Sequence, residues 1–143
     1  MRGFTLIELL IVLGVISILA LVTIPAFRAY GPNIQLLGSA REIITDLRYI
    51  QQLTITEQTE YCLKVFPLEK KYQTKQCNSP QVLKEKILPD EIKTLSSSGL
   101  TDGEVKYNPY GAVAEAGTIT LENIKSEIKN IQVKASGFVE ITD

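Results

Sequence analysis

Two hydrophobic rhythms divide the chain. From Phe4 to Phe27 the residues are apolar all round, and Glu8 is the only charge among them. As a helix this stretch is roughly 36 Å long at about 1.5 Å per residue, enough to cross the hydrocarbon core of a bilayer. Leu9 to Ile24 reads LLIVLGVISILALVTI, broken only by Gly14, Ser17 and Thr23. Pro25 removes a backbone donor and predicts a kink or local loosening. Gly14, Ser17 and Ala20 form a small-residue strip that either suits close helix approach or is incidental. Gly31-Pro32-Asn33 predicts a second break or strong kink. Beyond it, Leu37, Ala40, Ile44, Leu47 and Ile50 recur at threes and fours, so an amphipathic helix is expected over about 34–57. Leu36 and Ile43 widen the stripe, while Arg41, Glu42, Asp46 and Arg48 fall mainly off it. Such a stripe covers a small sheet or, alternatively, a partner helix.

After Gln58 the period becomes two. Tyr61, Leu63 and Val65 alternate with Cys62, Lys64 and Phe66, and a second strand is expected over 72–77. Setting Cys62 opposite Cys77 puts Lys64 against Lys75, Val65 against Thr74 and Phe66 against Gln73, with the turn tip at Glu69-Lys70. In that register Tyr61, Leu63 and Val65 face the core and both cysteines face the other way. A Cys62–Cys77 disulfide would stabilise by roughly 3 kcal/mol through loop closure; two free thiols is the alternative, and a location outside the cytoplasm favours the bond. Further strands are expected at 82–88, 92–95, 104–108, 117–121, 130–134 and 138–142, with Ser96-Ser97-Ser98-Gly99 as a loop and Asn108-Pro109-Tyr110-Gly111 as a turn. The pattern predicts an α+β fold: a long N-terminal helix, apolar anchor half then amphipathic half, packed on antiparallel strands.

Composition narrows the chemistry. The chain has 143 residues, Lys+Arg 15 against Asp+Glu 16, and no His or Trp. Balanced charge argues against a dedicated polyanion binder. Without His there is no Ser-His or Cys-His nucleophile, the serines lack a G-x-S-x-G setting, and two distant cysteines make a poor zinc set. No catalytic site, cofactor or metal is expected. Lys64, Lys70, Lys71 and Lys75 gather on one hairpin, diluted by Glu60 and Glu69. They read either as a solvated strand edge guarded against aggregation or as a phosphate-backbone contact for nucleic acid.

The apolar start competes with a cleaved signal peptide, which would have a shorter apolar run and a small-residue cleavage site. Glu8 is the anomaly, because a carboxylate in a spanning helix is costly and marks function unless it sits at headgroup level. Cleavage after Gly3 would create an amine at Phe4 for Glu8 to meet, in the same chain or a neighbour. Gly3-Phe4-Thr5-Leu6-Ile7-Glu8, running into Leu9-Leu10-Ile11-Val12-Leu13, resembles the processing and assembly motif of type IV prepilins, shared by pilins, type II secretion pseudopilins and competence pilins. The resemblance implies that a membrane peptidase removes a leader, residues 1–3, and methylates Phe4, and that Glu8 is the assembly glutamate. Residues 4–30 become the transmembrane and assembly helix and 33–143 the globular domain. Arg2 fits a cytoplasmic N-terminus, with the globular part outside, in the periplasm or at the cell surface. Pro25, Gly31 and Pro32 are then points of helix flexibility.

Downstream, the helix from Ala40 to Thr56, the Asn108–Gly111 turn, the Gly117–Leu121 strand and the closing segment from Ile131 to Val139 are similar to the GspH/FimT-type minor pseudopilin domain. The implied function is a minor pseudopilin or pilin, held in the membrane and then incorporated near the tip of a filament to prime assembly. Implied partners are other pilin subunits, the prepilin peptidase, membrane lipid, a membrane platform and a cytoplasmic ATPase. A DNA-binding minor pilin of a transformation system and a major structural pilin are the alternatives.

Overall fold

The computed structural model describes residues 5–142, and the chain divides into two compact units, Met1–Gly31 and Pro32–Asp143. Helix α1 runs Leu6–Glu57. Helical hydrogen bonding is assigned through Pro25 and through Gly31-Pro32-Asn33, where the sequence predicts breaks. A proline costs its own rung of the ladder, yet its ring imposes a φ close to the helical value, so flanking turns can carry it.

In the second unit, α1 buries Leu36, Ala40, Ile43, Leu47, Ile50 and Thr54. Leu36 rather than Leu37 therefore leads the stripe, and the alternating steps of four and three keep one face inward. Thr54 fits in this apolar row because its hydroxyl donates back to the Ile50 carbonyl at 2.7 Å.

Eight strands follow: β1 Tyr61–Phe66, β2 Lys71–Gln76, β3 Val82–Ile87, β4 Ile92–Ser98, β5 Glu104–Lys106, β6 Gly117–Asn123, β7 Ile128–Val133 and β8 Val139–Thr142. They form two four-stranded antiparallel sheets, β3-β2-β1-β5 and β4-β6-β7-β8, rather than one. The helix stripe and the inner faces of both sheets close a single core that includes Leu63, Val65, Tyr72, Leu95, Ile119 and Ile131. Ser96–Ser98, expected as a loop, lies within β4, because Ser96, Ser97 and Ser98 pair with Thr120, Ile119 and Thr118 of β6. β7 begins at Ile128 rather than Asn130.

The β1–β2 register differs from the expectation. Cys62 faces Lys75, Lys64 faces Gln73 and Val65 faces Tyr72. Cys77 lies past the end of β2, its amide donating to the Glu60 carbonyl at 2.9 Å. This slip preserves every face, since strand side chains repeat every second residue, and it removes the repulsive Lys64–Lys75 pairing. The cysteines are diagonal neighbours on the outer face, joined as a disulfide with Cα atoms 5.3 Å apart. Replacing both with serine should lower the stability of the folded unit by roughly 3 kcal/mol, read as an earlier denaturant midpoint that added reductant does not shift further.

Asp46, expected off the stripe, is buried at the junction of α1 with β2 and β3. Its carboxylate accepts from the Tyr72 hydroxyl at 2.7 Å and from Lys84 Nζ at 2.8 Å. Glu42 accepts from Lys84 and pairs with Lys86, each at 3.2 Å. Burial and then the Asp46 hydrogen bond push the Tyr72 hydroxyl far above its ordinary range, so it stays a donor. Burial raises the Glu42 carboxyl, but the hydrogen bonds from Lys86 and Lys84 outweigh it and hold the group below its usual value. Tyr72→Phe removes one donor from a buried carboxylate and should cost about 1.5–3 kcal/mol, measured by chemical denaturation.

Candidate assembly segment

The first unit is a helix without a fold of its own to cover it. Leu6–Pro25 is long and apolar enough to cross a membrane, and none of it is buried. Leu6 and Leu21 are each 76% exposed, and even the least exposed large side chain, Val12, is 49% exposed. A continuous apolar surface of this size requires lipid or other helices around it. The polar residues inside it satisfy themselves: Ser17 and Thr23 donate to the Leu13 and Leu19 carbonyls at 2.8 and 2.7 Å. Ser17, Ala20, Leu21, Ile24 and Pro25 line a shallow notch on this surface, where the small side chains leave space beside the bulky ones.

At the start of α1, Thr5 and Glu8 cap each other. The Thr5 amide and hydroxyl both donate to Glu8 Oε2 at 2.9 Å, and the Glu8 amide donates to Thr5 Oγ1 at 3.3 Å. This is a capping box, signalled in the sequence by threonine followed three positions later by glutamate. Both carboxylate bonds fall on Oε2; among the described residues Oε1 makes none. A charge that would be expensive in lipid is thereby partly solvated by its own helix end, where the helix dipole also favours an anion. Gly3 and Phe4, the expected cleavage and methylation positions, lie outside the described residues.

The suspected cysteine pair is brought together, and it sits far along the chain from Glu8, as a staple of the second unit. The lysine hairpin is largely compensated. Lys71 pairs with Glu69 at 2.6 Å and with Glu85 at 3.7 Å, and Lys75 pairs with Glu104 at 3.8 Å. Lys64 and Lys71 lie over the Phe66 ring at 5.9 and 5.3 Å from its centre. Cys62, Cys77 and Glu104 lie close enough to suggest a metal cluster, but both sulfurs are used in the disulfide.

Residues 1–24 match the family described as "Prokaryotic N-terminal methylation motif". The fold has counterparts among solved structures. The type IV minor pilin FimU of Pseudomonas aeruginosa is 10% identical, over 78% of this chain and 90% of that one, with a TM-score of 0.64. The motif and the fold match the type IV pilin-like proteins. The minor pseudopilin EpsH from the Type 2 Secretion System of Vibrio cholerae is also 10% identical, over 76% of this chain and 96% of that one, with a TM-score of 0.62. No curated protein matches the sequence. At this identity the structural likeness speaks for the pilin-like fold, and the methylation motif speaks for the N-terminal segment; between them they cover both units.

Proposed function

We propose that the chain is a minor pilin or pseudopilin subunit, processed between Gly3 and Phe4, held in the cytoplasmic membrane by Leu6–Pro25 and drawn into a filament whose core is made of such helices. The observation that carries this reading is the wholly exposed apolar helix with Glu8 as its only charge, attached to a separately packed α+β unit. Lipid and a helix bundle are equally apolar surroundings, so transfer between them gains little from hydrophobicity. Selectivity must come from packing and from the one charged contact. The capping box leaves Glu8 Oε1 for the amine of a processed Phe4 in a neighbouring subunit, while Oε2 keeps the helix end intact.

The globular unit would stand outside the membrane, where the Cys62–Cys77 bond is stable. The other subunits, the prepilin peptidase and the membrane assembly platform are the partners this role requires, and a position near the filament tip, priming assembly, is the role that suits a subunit present in few copies. The chain would contribute surface and a helix, not catalysis. Quantifying the protein in sheared filament fractions tests the reading. It should be present at far fewer copies than the shaft subunit. Absence from the fraction would overturn subunit status, and parity with the shaft would make it a major pilin.

A further inference from the structure

The end of the Pro32–Asp143 unit at which the chain enters is built from three connections tied to one another. The β1–β2 loop, 67–70, accepts the Leu88 amide on the Lys70 carbonyl at 2.9 Å. The β3–β4 connection, 88–91, accepts the Ile124 amide on the Glu91 carbonyl, also at 2.9 Å. The β6–β7 turn is held by Asn123, whose Oδ1 accepts the Lys125 and Glu127 amides, and whose Nδ2 donates to Asn33 Oδ1 at 2.8 Å. The three loops therefore form one rim beside Asn33, next to the first residue of the unit.

This rim carries apolar side chains where polar loop tips are the rule. Leu68 is 100% exposed, Ile87 67%, Ile124 58% and Ile128 47%. Charge on the rim is mixed: Glu69 and Lys70 follow Leu68, Lys71 is paired with Glu69 and Glu85, and Asp90, Glu91 and Glu127 lie on the other two connections. Apolar tips with charged neighbours suit the boundary between acyl chains and headgroups, where a lysine stem such as that of Lys70 can lie along apolar surface with its charge in the polar layer. Position points the same way. From Pro25, the end of the apolar span, to Pro32 the chain reaches at most about 25 Å in any conformation, and the headgroup layer itself occupies roughly 5–8 Å of that.

We propose that this rim rests on the bilayer surface before assembly, with Leu68 and Ile124 entering the headgroup layer and lipid as the occupant. The contact would hold the globular unit in one presentation while the subunit waits to be incorporated, and would have to be released on extraction. It rests on the reading of Leu6–Pro25 as a membrane span.

The chain has no tryptophan, so single reporters are clean. Leu68→Trp, Ile124→Trp, Tyr110→Trp and Val15→Trp would each be placed in the full chain, in nanodiscs of phosphatidylethanolamine and phosphatidylglycerol. Acyl chains brominated near the glycerol end would serve as quenchers for the rim and Tyr110 reporters, and chains brominated near the methyl end for Val15→Trp at the middle of the span. Tyr110, 91% exposed on the 108–111 turn beside the far end of α1, is the control for the opposite end. Val15→Trp, Leu68→Trp and Ile124→Trp should show blue-shifted emission and lose intensity to brominated lipid, and Tyr110→Trp should show neither. If both rim reporters behave like Tyr110→Trp while Val15→Trp is quenched, the rim proposal falls and the span stands. If Val15→Trp is unquenched as well, the span reading falls and takes the rim with it. Quenching of Tyr110→Trp alongside the others would mean contact without orientation and would also overturn the proposal.

Discussion

A chain carrying Glu8→Leu should fold, insert and remain anchored, and yet be missing from filaments. The substitution makes the Leu6–Pro25 helix more apolar, so retention in lipid can only improve. Among the described residues Glu8 bonds to Thr5, and the substitution lies outside the Pro32–Asp143 unit, which should be unchanged. What disappears is the charged group that, on the proposed role, lets a neighbouring helix be told from lipid. A close charge pair in apolar surroundings is worth about 1.5 kcal/mol or more, which corresponds to at least a tenfold drop in the sheared fraction. Thr5→Ala separates this role from helix capping. It breaks the capping box, costs about 1 kcal/mol at the helix end, and leaves the carboxylate for assembly. Near-normal incorporation of Thr5→Ala beside failure of Glu8→Leu is the expected pattern; equal loss in both would make Glu8 a cap and no more.

Gly137→Ala should be the most damaging small substitution in the globular unit. Gly137 has φ +84°, a conformation in which a Cβ is strained. The added Cβ would also collide with the Gly111 carbonyl oxygen and come within 2.5 Å of Gln51 Nε2. Those two groups form the 2.7 Å hydrogen bond that ties the 108–111 turn to α1. Left-handed strain of about 1–2 kcal/mol, with overpacking of about 1–3 kcal/mol, gives an expected loss of about 3 kcal/mol. Gly38→Ala is the matched control: it is helical, nothing lies within 4 Å of the new Cβ, and it should stabilise by about 0.5–1 kcal/mol. Denaturant midpoints moving in opposite directions would support the packing described; a neutral Gly137→Ala would contradict it.

What was legible in the sequence is what is local. The apolar run, the Gly3-to-Glu8 motif, the amphipathic half of α1 and the Asn108–Gly111 turn each follow from residues close together in the chain. The errors are non-local. Asp46 reads only as a residue off the apolar stripe, and its burial depends on β2 and β3 bringing Tyr72 and Lys84 to it. Three serines read as a loop until β6 pairs with them. Placing the two cysteines directly opposite each other set the β1–β2 register wrong, since a disulfide can also join diagonal neighbours. The division of the strands into two sheets was likewise invisible, because nothing in a strand's own residues says which edge it will join. At the candidate site, the Thr5–Glu8 capping box is legible in four adjacent residues. The rim beside Asn33 was out of reach, since it depends on three loops distant in sequence.

The central claim is that the N-terminal helix survives processing and becomes part of the working protein. Mass spectrometry of the protein purified from its own membranes tests this most directly. The account predicts a mature chain that starts at Phe4, carries a methyl group on its amine and retains Leu6–Pro25. A terminus beyond residue 20, with the apolar helix discarded, would contradict it.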